Sequence, residues 1–301
     1  MVEERRIVDI IANSIIWIVT VVLVCICILP FVAVIAKSLS SAEAVRTNQV
    51  NLLPVGINVD NYTFLMREKT FIGAFGVSVA RVTVGVTLNL IVIALTAYPL
   101  SQDHLHIPGR TVFKVVLVFG LLFQGGLIPT YLAYKSLGLL NHFAVLVLPV
   151  ALNIFFAILI INFFRGIPRE LSESALMDGA NHFQILVHIF LPLSLPSMAT
   201  VGLFAAVTHW NSWFDGIIYL RFEEQWPLQS YLYNQVTQQR LEGTLMSAQF
   251  HGKTDPSYLK DATPEALAAA MVMIGSIPIM LVYPFVQRYF VRGLTLGAVK
   301  G

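Results

Sequence analysis

Three sets of residues have types and spacings that could do chemistry. The stretch HWNSWFDGIIYL, residues 209–220, places Trp210, Trp213 and Phe214 beside Asn211 and Asp215. Aromatic faces suit the C–H faces of a sugar ring, and Asn and Asp suit its hydroxyls, so this set is a candidate binding surface. The same residues also suit an aromatic belt at a membrane–water boundary, and both readings stand at this level. Arg81 is a cation inside the apolar stretch 71–100. A central Arg costs about 2.5–3.5 kcal/mol on insertion scales, so it is expected to pair with Asp215, line a cavity or meet an anionic solute, unless it snorkels outward. The third set is ESALMDGANHFQILVHIFLP, residues 173–192, a polar island between two long apolar segments that is more ordered than a loop requires. None of the three pairs a nucleophile with a base. The chain has no G-x-x-x-x-G-K-[ST] phosphate loop, so it cannot hydrolyse ATP unaided. His104 and His106 have no further ligands near them, and Cys25 and Cys27 lie in the apolar run VLVCICILP, so neither a metal site nor a redox pair is expected.

The elements that must position these residues are membrane helices. Of 301 residues, 56% are hydrophobic and 12% charged, with a mean hydropathy of +0.74. Soluble domains carry about 25% charged residues. The net charge of +2 carries no basic patch, so nucleic acid is not an expected partner. About 20 apolar residues span a bilayer. Six stretches qualify: 10–36, 71–100, one starting at Thr111 and weakening at Gly125, Gly126 and Pro129, 142–164, 186–220, and 265–290. The first follows Arg5 and Arg6 but is too long for a signal core, so it is read as a retained helix. Pro192, Pro196, Pro278 and Pro284 inside spans fit a bundle around a pathway.

Orientation follows from Lys and Arg in the short loops. With the N-terminus inside, Arg5, Arg6, Arg110, Arg165, Arg169, Arg292 and Lys300 lie in short inner segments, whereas the outer cations are spread over longer loops. This places residues 173–192 in the cytoplasm. The outer segment 221–264 is unlike a structureless loop at that length, and QSYLYNQVTQQ within it fits a short amphipathic helix.

In the polar island, Glu173, Ala175, Gly179, Ile189, Leu191 and Pro192 stand at the spacing of the cytoplasmic loop motif E-A-A, three residues, Gly, nine residues, I-x-L-P, with Ser174 where the second position is usually Ala. The motif resembles that of the permease subunits of binding-protein-dependent ABC importers. TAYPLS, GGLIPTYLAYKSLGLLN, HWNSWFDGIIYL and the ending PFVQRYFVRGLTLGAVKG resemble the oligosaccharide-uptake branch of that family, over most of residues 70–301. The resemblance implies an all-α membrane protein of the type I importer permease fold, with six transmembrane helices and both termini cytoplasmic. It implies a first part, 1–69, of one helix and an outer loop, and a second part, 70–301, of a five-helix core.

The resemblance further implies that residues 169–185 contain a coupling helix seated in a groove of a separate ATPase dimer, with Glu173, Ser174, Ala175, Asp178 and Gly179 at that contact. The tail, Gly293, Gly297 and Lys300, is expected as an extended Gly-rich segment reaching toward the same subunit. ATP and Mg would belong to the ATPase, with no cofactor in this chain. The other implied partners are a second, homologous permease, membrane lipid and an extracytoplasmic sugar-binding protein, with Trp226, Tyr231, Tyr233 and Gln235 as candidate contacts to the last. The substrate pathway candidates remain Arg81, Trp210, Asn211, Trp213, Phe214 and Asp215. The expected setting is the bacterial inner membrane and the expected activity ATP-driven, non-enzymatic import of oligosaccharides. The rival readings are an ABC permease for another solute and an ion-coupled carrier working alone. A lone carrier needs no such cytoplasmic Gly motif, and only Asp215 among the acids falls within a span.

Overall fold

A computed structural model describes residues 2–103, 107–241 and 263–298. In chain order the helices are α1 (Val2–Ser38), α2 (Ala42–Arg46), α3 (Asp60–Arg67), α4 (Lys69–Ser101), α5 (Arg110–Leu122), α6 (Leu127–Ser136), α7 (Ile154–Arg165), α8 (Arg169–Met177), α9 (His182–Ile185), α10 (Leu191–Leu193), α11 (Leu195–Asn211), α12 (Phe214–Tyr219), α13 (Leu228–Leu241) and α14 (Pro264–Ala298). No strand occurs among the described residues.

Among the described residues, three helices are long and apolar enough to cross a membrane, Asp9–Ser38, Lys69–Ser101 and Pro264–Pro284, with a fourth crossing if a bent pair counts as one. The apolar window of α1 buries none of its residues within the chain. Its apolar surface on all sides therefore requires lipid or another protein.

The third and fourth apolar stretches behave differently from expectation. The third is broken into α5 and α6, because Gly126 takes φ +80° and the chain between them is extended at Phe123. The fourth, expected over 142–164, is helical only from Ile154, where the Asn153 side chain accepts the Phe156 amide. Residues 143–146 before it form a single 3-10 turn instead. The tail also departs from expectation: α14 continues to Ala298, so Gly293 and Gly297 lie in helix rather than in an extended segment. No proline follows Pro284, and an established helix propagates at little cost per residue. Lys300 lies outside the described residues.

The chain divides into two compact units, one of residues 1–69 and 234–277, the other of 70–233 and 278–301. In the first, α1 ends on a knot of polar contacts: the Ser38 hydroxyl meets the Tyr62 hydroxyl at 2.7 Å, and Asn61 Nδ2 donates to the Ser38 carbonyl.

The second unit is organised by one face of α4. Phe71, Ala74, Ser78, Arg81, Gly85, Asn89, Ile93, Ala97 and Leu100 are all buried, recurring every three or four residues as one stripe of a helix. The lower part of that stripe, Ile93 to Leu100, joins Phe156, Ile160 and Phe164 of α7, Ile185, Phe190, and Met198, Val201 and Ala205 of α11 in the main core. Gly202 of α11 lets Leu90 and Val86 approach; a Cβ there would meet Leu90 at 3.2 Å.

Between the polar island and α11 the chain makes an elbow. Leu186–Phe190 is a five-residue π-helical stretch, and His182–Leu193 meets Leu195–Asn211 at 83°. Pro192 and Pro196 explain both: neither donates an amide, and each ring clashes with the carbonyl four residues earlier. Ser194, fully buried, is the corner.

Candidate functional site

Most of the candidate residues lie at two places in the second unit. The first is the polar island. Here α8 covers nine residues, Arg169–Met177, about 14 Å at the helical rise, within the 169–185 expected to contain the coupling helix. Glu170 sits in its first turn, where the helix dipole favours an acid. Its end is a Schellman cap: the Ala180 amide donates to the Ala175 carbonyl at 2.9 Å and the Gly179 amide to the Leu176 carbonyl at 3.0 Å. That cap needs a left-handed residue, and Gly179 supplies it at φ +84°. A capping box restarts the chain. The Gln184 amide donates to Asn181 Oδ1, and the Asn181 amide to Gln184 Oε1, both at 2.9 Å.

Glu173, Ser174, Asp178 and Gly179 are exposed. Ala175 is half-buried against the main core, so α8 is seated on the bundle through a small residue. Met177 is 88% exposed and Phe183 65% exposed, two apolar side chains flanking the turn. Behind the turn lies a cleft of about 360 Å³. The segment is fastened to the end of α4 by Tyr98, whose hydroxyl lies 3.0 Å from His182 Nδ1 and whose ring packs edge-on against Phe190. Phe190 in turn meets Phe164 of α7 edge-on.

Beside it, Asp103, which the sequence reading missed, is held by three cations: Arg110 at 3.2 Å, Lys114 at 3.1 Å and Arg165 at 3.2 Å. Burial would raise its carboxyl, but the Lys114 hydrogen bond and the charges of Arg165, Lys114 and Arg110 bring it below the usual carboxylate range. The ends of α4, α5 and α7 are thus tied through one carboxylate.

The second place is the far end of α11. Arg81, 1% exposed, donates from Nη1 to Asp215 Oδ1 at 3.0 Å and from Nη2 to Asp215 Oδ2, a two-pronged pair. Nη1 also donates to the Ser212 carbonyl at 3.1 Å. That carbonyl is free because α11 ends at Asn211 and α12 starts at Phe214. Of the alternatives open for Arg81, the pair with Asp215 is the one present. One and two turns further along α4, His209 packs over Gly85, and its Nε2 lies 2.8 Å from Asn89 Oδ1. Asn89 Nδ2 donates to the Val150 and Ala151 carbonyls at 2.6 and 2.8 Å. A polar stripe thereby satisfies non-helical backbone at the depth of a span, where water cannot. His209 was missed in the sequence; the spacing of Arg81, Gly85 and Asn89 as i, i+4 and i+8 was the available signal.

The pathway candidates divide. Trp210 is buried, edge-on to Phe75. Asn211, Trp213 and Phe214 are exposed. Trp213 stacks on Tyr233 with ring centroids 3.9 Å apart, joining a pathway candidate to a binding-protein candidate. Two of the latter are corrected. Trp226 is 8% exposed; its Nε1 donates to the Leu220 carbonyl and it packs with Val145, Leu146 and Tyr219. Tyr231 is buried and meets Phe71 edge-on. Both are interior residues because their apolar partners lie on distant segments. Tyr233 is exposed and Gln235 half-buried, on α13, which fills the place of the expected amphipathic helix. Residues 242–262 of the segment expected outside lie beyond the described residues. No cluster of three metal-ligating side chains occurs among the described residues.

No protein-family model matches the chain. It is 39% identical over 279 residues to the polygalacturonan/rhamnogalacturonan transport system permease protein YtcP of Bacillus subtilis (strain 168), covering 92% of this chain and 93% of that protein. Its fold is similar to a chain in the crystal structure of a bacterial ABC transporter involved in the import of the acidic polysaccharide alginate. The TM-score is 0.85 at 32% identity, over 94% of this chain and 97% of that one. A second similarity, at TM-score 0.51 and 14% identity over 92% of this chain and 91% of that one, shows the fold alone. It is to the crystal structure of a bacterial alginate ABC transporter in complex with alginate pentasaccharide-bound periplasmic protein.

Proposed function

We propose, from the premise that the chain belongs to the permease proteins of ABC transport systems for carbohydrates, that it is one membrane subunit of an ATP-driven oligosaccharide importer. The observation that carries the reading is the full-length likeness to a permease named for polygalacturonan and rhamnogalacturonan transport. The alginate importer, similar over nearly the whole of both chains, supports it. Oligosaccharides of acidic polysaccharides are the substrate class these two relatives favour.

In this reading the chain crosses the bacterial inner membrane six times with both termini cytoplasmic, α5–α6 and α7 contributing the shorter crossings. A second, homologous permease and lipid cover the bare surface of α1. A separate ATPase dimer, which holds ATP and Mg, docks on α8, where Glu173, Ser174, Asp178 and Gly179 are exposed. The end of α14, with Gly293, Gly297 and Lys300, lies toward the same subunit. An extracytoplasmic binding protein delivers the sugar on the side of α12 and α13, where Trp213, Phe214, Tyr233 and Gln235 offer contact. Closure of the ATPase dimer shifts α8. The Tyr98, Phe164 and Phe190 contacts and the elbow at Ser194 pass that shift to α4, α7 and α11. Alternating access follows from the movement of α11 with its Arg81–Asp215 end.

The test is reconstitution of the chain with its partner permease, ATPase and binding protein in vesicles, with uptake of labelled oligogalacturonides measured. Uptake that needs ATP and binding protein together supports the reading. Uptake by the chain alone under an ion gradient refutes it.

A further inference from the structure

We infer that the cleft behind the Schellman turn receives an arginine side chain of the ATPase subunit, a contact separate from Glu173; this rests on the reading of α8 as the docking element. The cleft, about 360 Å³, lies between the last turn of α8 and the π-helical stretch, with Ala175, Gly179 and Ile189 in its walls and Asp178, Gln184 and His188 at its polar rim. Its chemistry is that of a cation acceptor. Asp178 is exposed and makes no ion pair among the described residues. His188 Nδ1 lies 3.0 Å from the Gln184 carbonyl, an acceptor, so in the neutral ring Nδ1 carries the proton and Nε2 is a second acceptor. Gln184 Oε1 is already taken by the capping box, which holds that rim in place.

The occupant is specified by what the walls lack. Gly179 has open space where a Cβ would stand, and Ala175 adds only a methyl group. A long side chain can therefore lie flat between them with its stem on Ile189. A guanidinium offers five donors in a plane and a weakly hydrated stem, which fits a carboxylate and an imidazole acceptor on one rim; a lysine ammonium is a point charge without that reach. The source is a protein rather than a free cation because the cleft is flanked by Met177 and Phe183, two exposed apolar side chains. Apolar anchors beside a buried arginine are the composition of an interface hot spot. Glu173 does not line the cleft, so Glu173 and Asp178 would meet different ATPase residues.

The experiment uses the assembled importer in nanodiscs with p-benzoylphenylalanine placed at His188 in one sample and at Glu173 in another. Photo-crosslinked ATPase peptides are read by mass spectrometry, and Asp178→Asn is measured for ATPase affinity. The expected result is a crosslink from position 188 to an ATPase peptide containing an arginine. Replacing that arginine with alanine, or Asp178 with Asn, lowers affinity about tenfold, and the double variant is no weaker than either alone. Crosslinking from position 173 but not 188, or unchanged affinity in Asp178→Asn, overturns the inference and leaves α8 as the docking element. Crosslinking from neither position overturns that reading and the inference with it.

Discussion

Arg81 of α4 and Asp215 of α12 form a two-pronged ion pair at the end of α11, with Arg81 almost wholly buried and the Ser212 carbonyl as its third contact. The pair converts a costly intramembrane cation into a fastening between α4 and the α11–α12 break. Its energetics are asymmetric: losing one partner leaves a buried charge, at a cost of about 3–5 kcal/mol, while losing both removes the problem.

Accordingly, Asp215→Ala and Arg81→Ala are each expected to lower thermal stability in detergent strongly, and Arg81→Met/Asp215→Leu to lower it less than either. Arg81→Lys is expected to fall between, since an ammonium cannot make the two-pronged contact. Melting curves of the four variants decide it. Additive losses in the double variant would mean that the two residues act independently.

The His209–Asn89 bond makes a second prediction. A Cβ at Gly85 would lie 2.5 Å from the His209 ring. Gly85→Ala should therefore push the ring off Asn89 and cost about 1–3 kcal/mol. In a His209→Ala background the same change should cost almost nothing. Equal costs in both backgrounds, read from the same melting curves, would show that the ring is not what Gly85 accommodates.

How legible this was in the sequence depends on how local each cause is. The turn at Gly179 is a matter of a few residues, so the helix before it and the break after it could be read directly. Arg81 and Asp215 could be paired because each is a lone charge in an apolar stretch. The elbow was only half legible: Pro192 and Pro196 announce a disruption, but the 83° angle is set with Tyr98 and Phe164 packing onto Phe190 from two other helices. Trp226 misled because a tryptophan in a polar segment reads as exposed, and its partners Val145 and Leu146 lie some eighty residues earlier. The split of the third stretch was marked by Gly125 and Gly126. The late start of α7 was marked too, by Pro149 within the otherwise apolar 143–152 and by Asn153 as the cap that follows it.

Asp103 supports a pH prediction. Its folded carboxyl is held below the usual value, so its contribution to stability is full above the unfolded value, near 3.8, and is lost as pH falls through the depressed one. Between pH 5 and 8 the tie is constant. The side chain is 46% exposed, so solvent screening limits the loss in Asp103→Asn to at most about 1 kcal/mol. The difference in melting temperature between Asp103→Asn and the parent should be flat from pH 8 to 5, narrow below pH 4, and shrink in high salt. A difference that grows on acidification would contradict the assigned direction.

Gly179 separates backbone from contact. Open space surrounds its missing Cβ, so a side chain there meets nothing within this chain, and the local cost of substitution is that of the left-handed conformation, about 1–2 kcal/mol for most residues. Asparagine tolerates that conformation and valine does not. If the turn alone matters, Gly179→Asn should keep ATP-driven uptake and Gly179→Val should lose it. If a close partner surface matters as well, as docking on α8 requires, both should lose uptake, while Gly179→Asn still melts near the parent. The expected outcome is the second: uptake in proteoliposomes falls at least tenfold in both variants, with stability preserved only in the asparagine one. Normal uptake by Gly179→Asn would show that position 179 shapes the turn without meeting the ATPase.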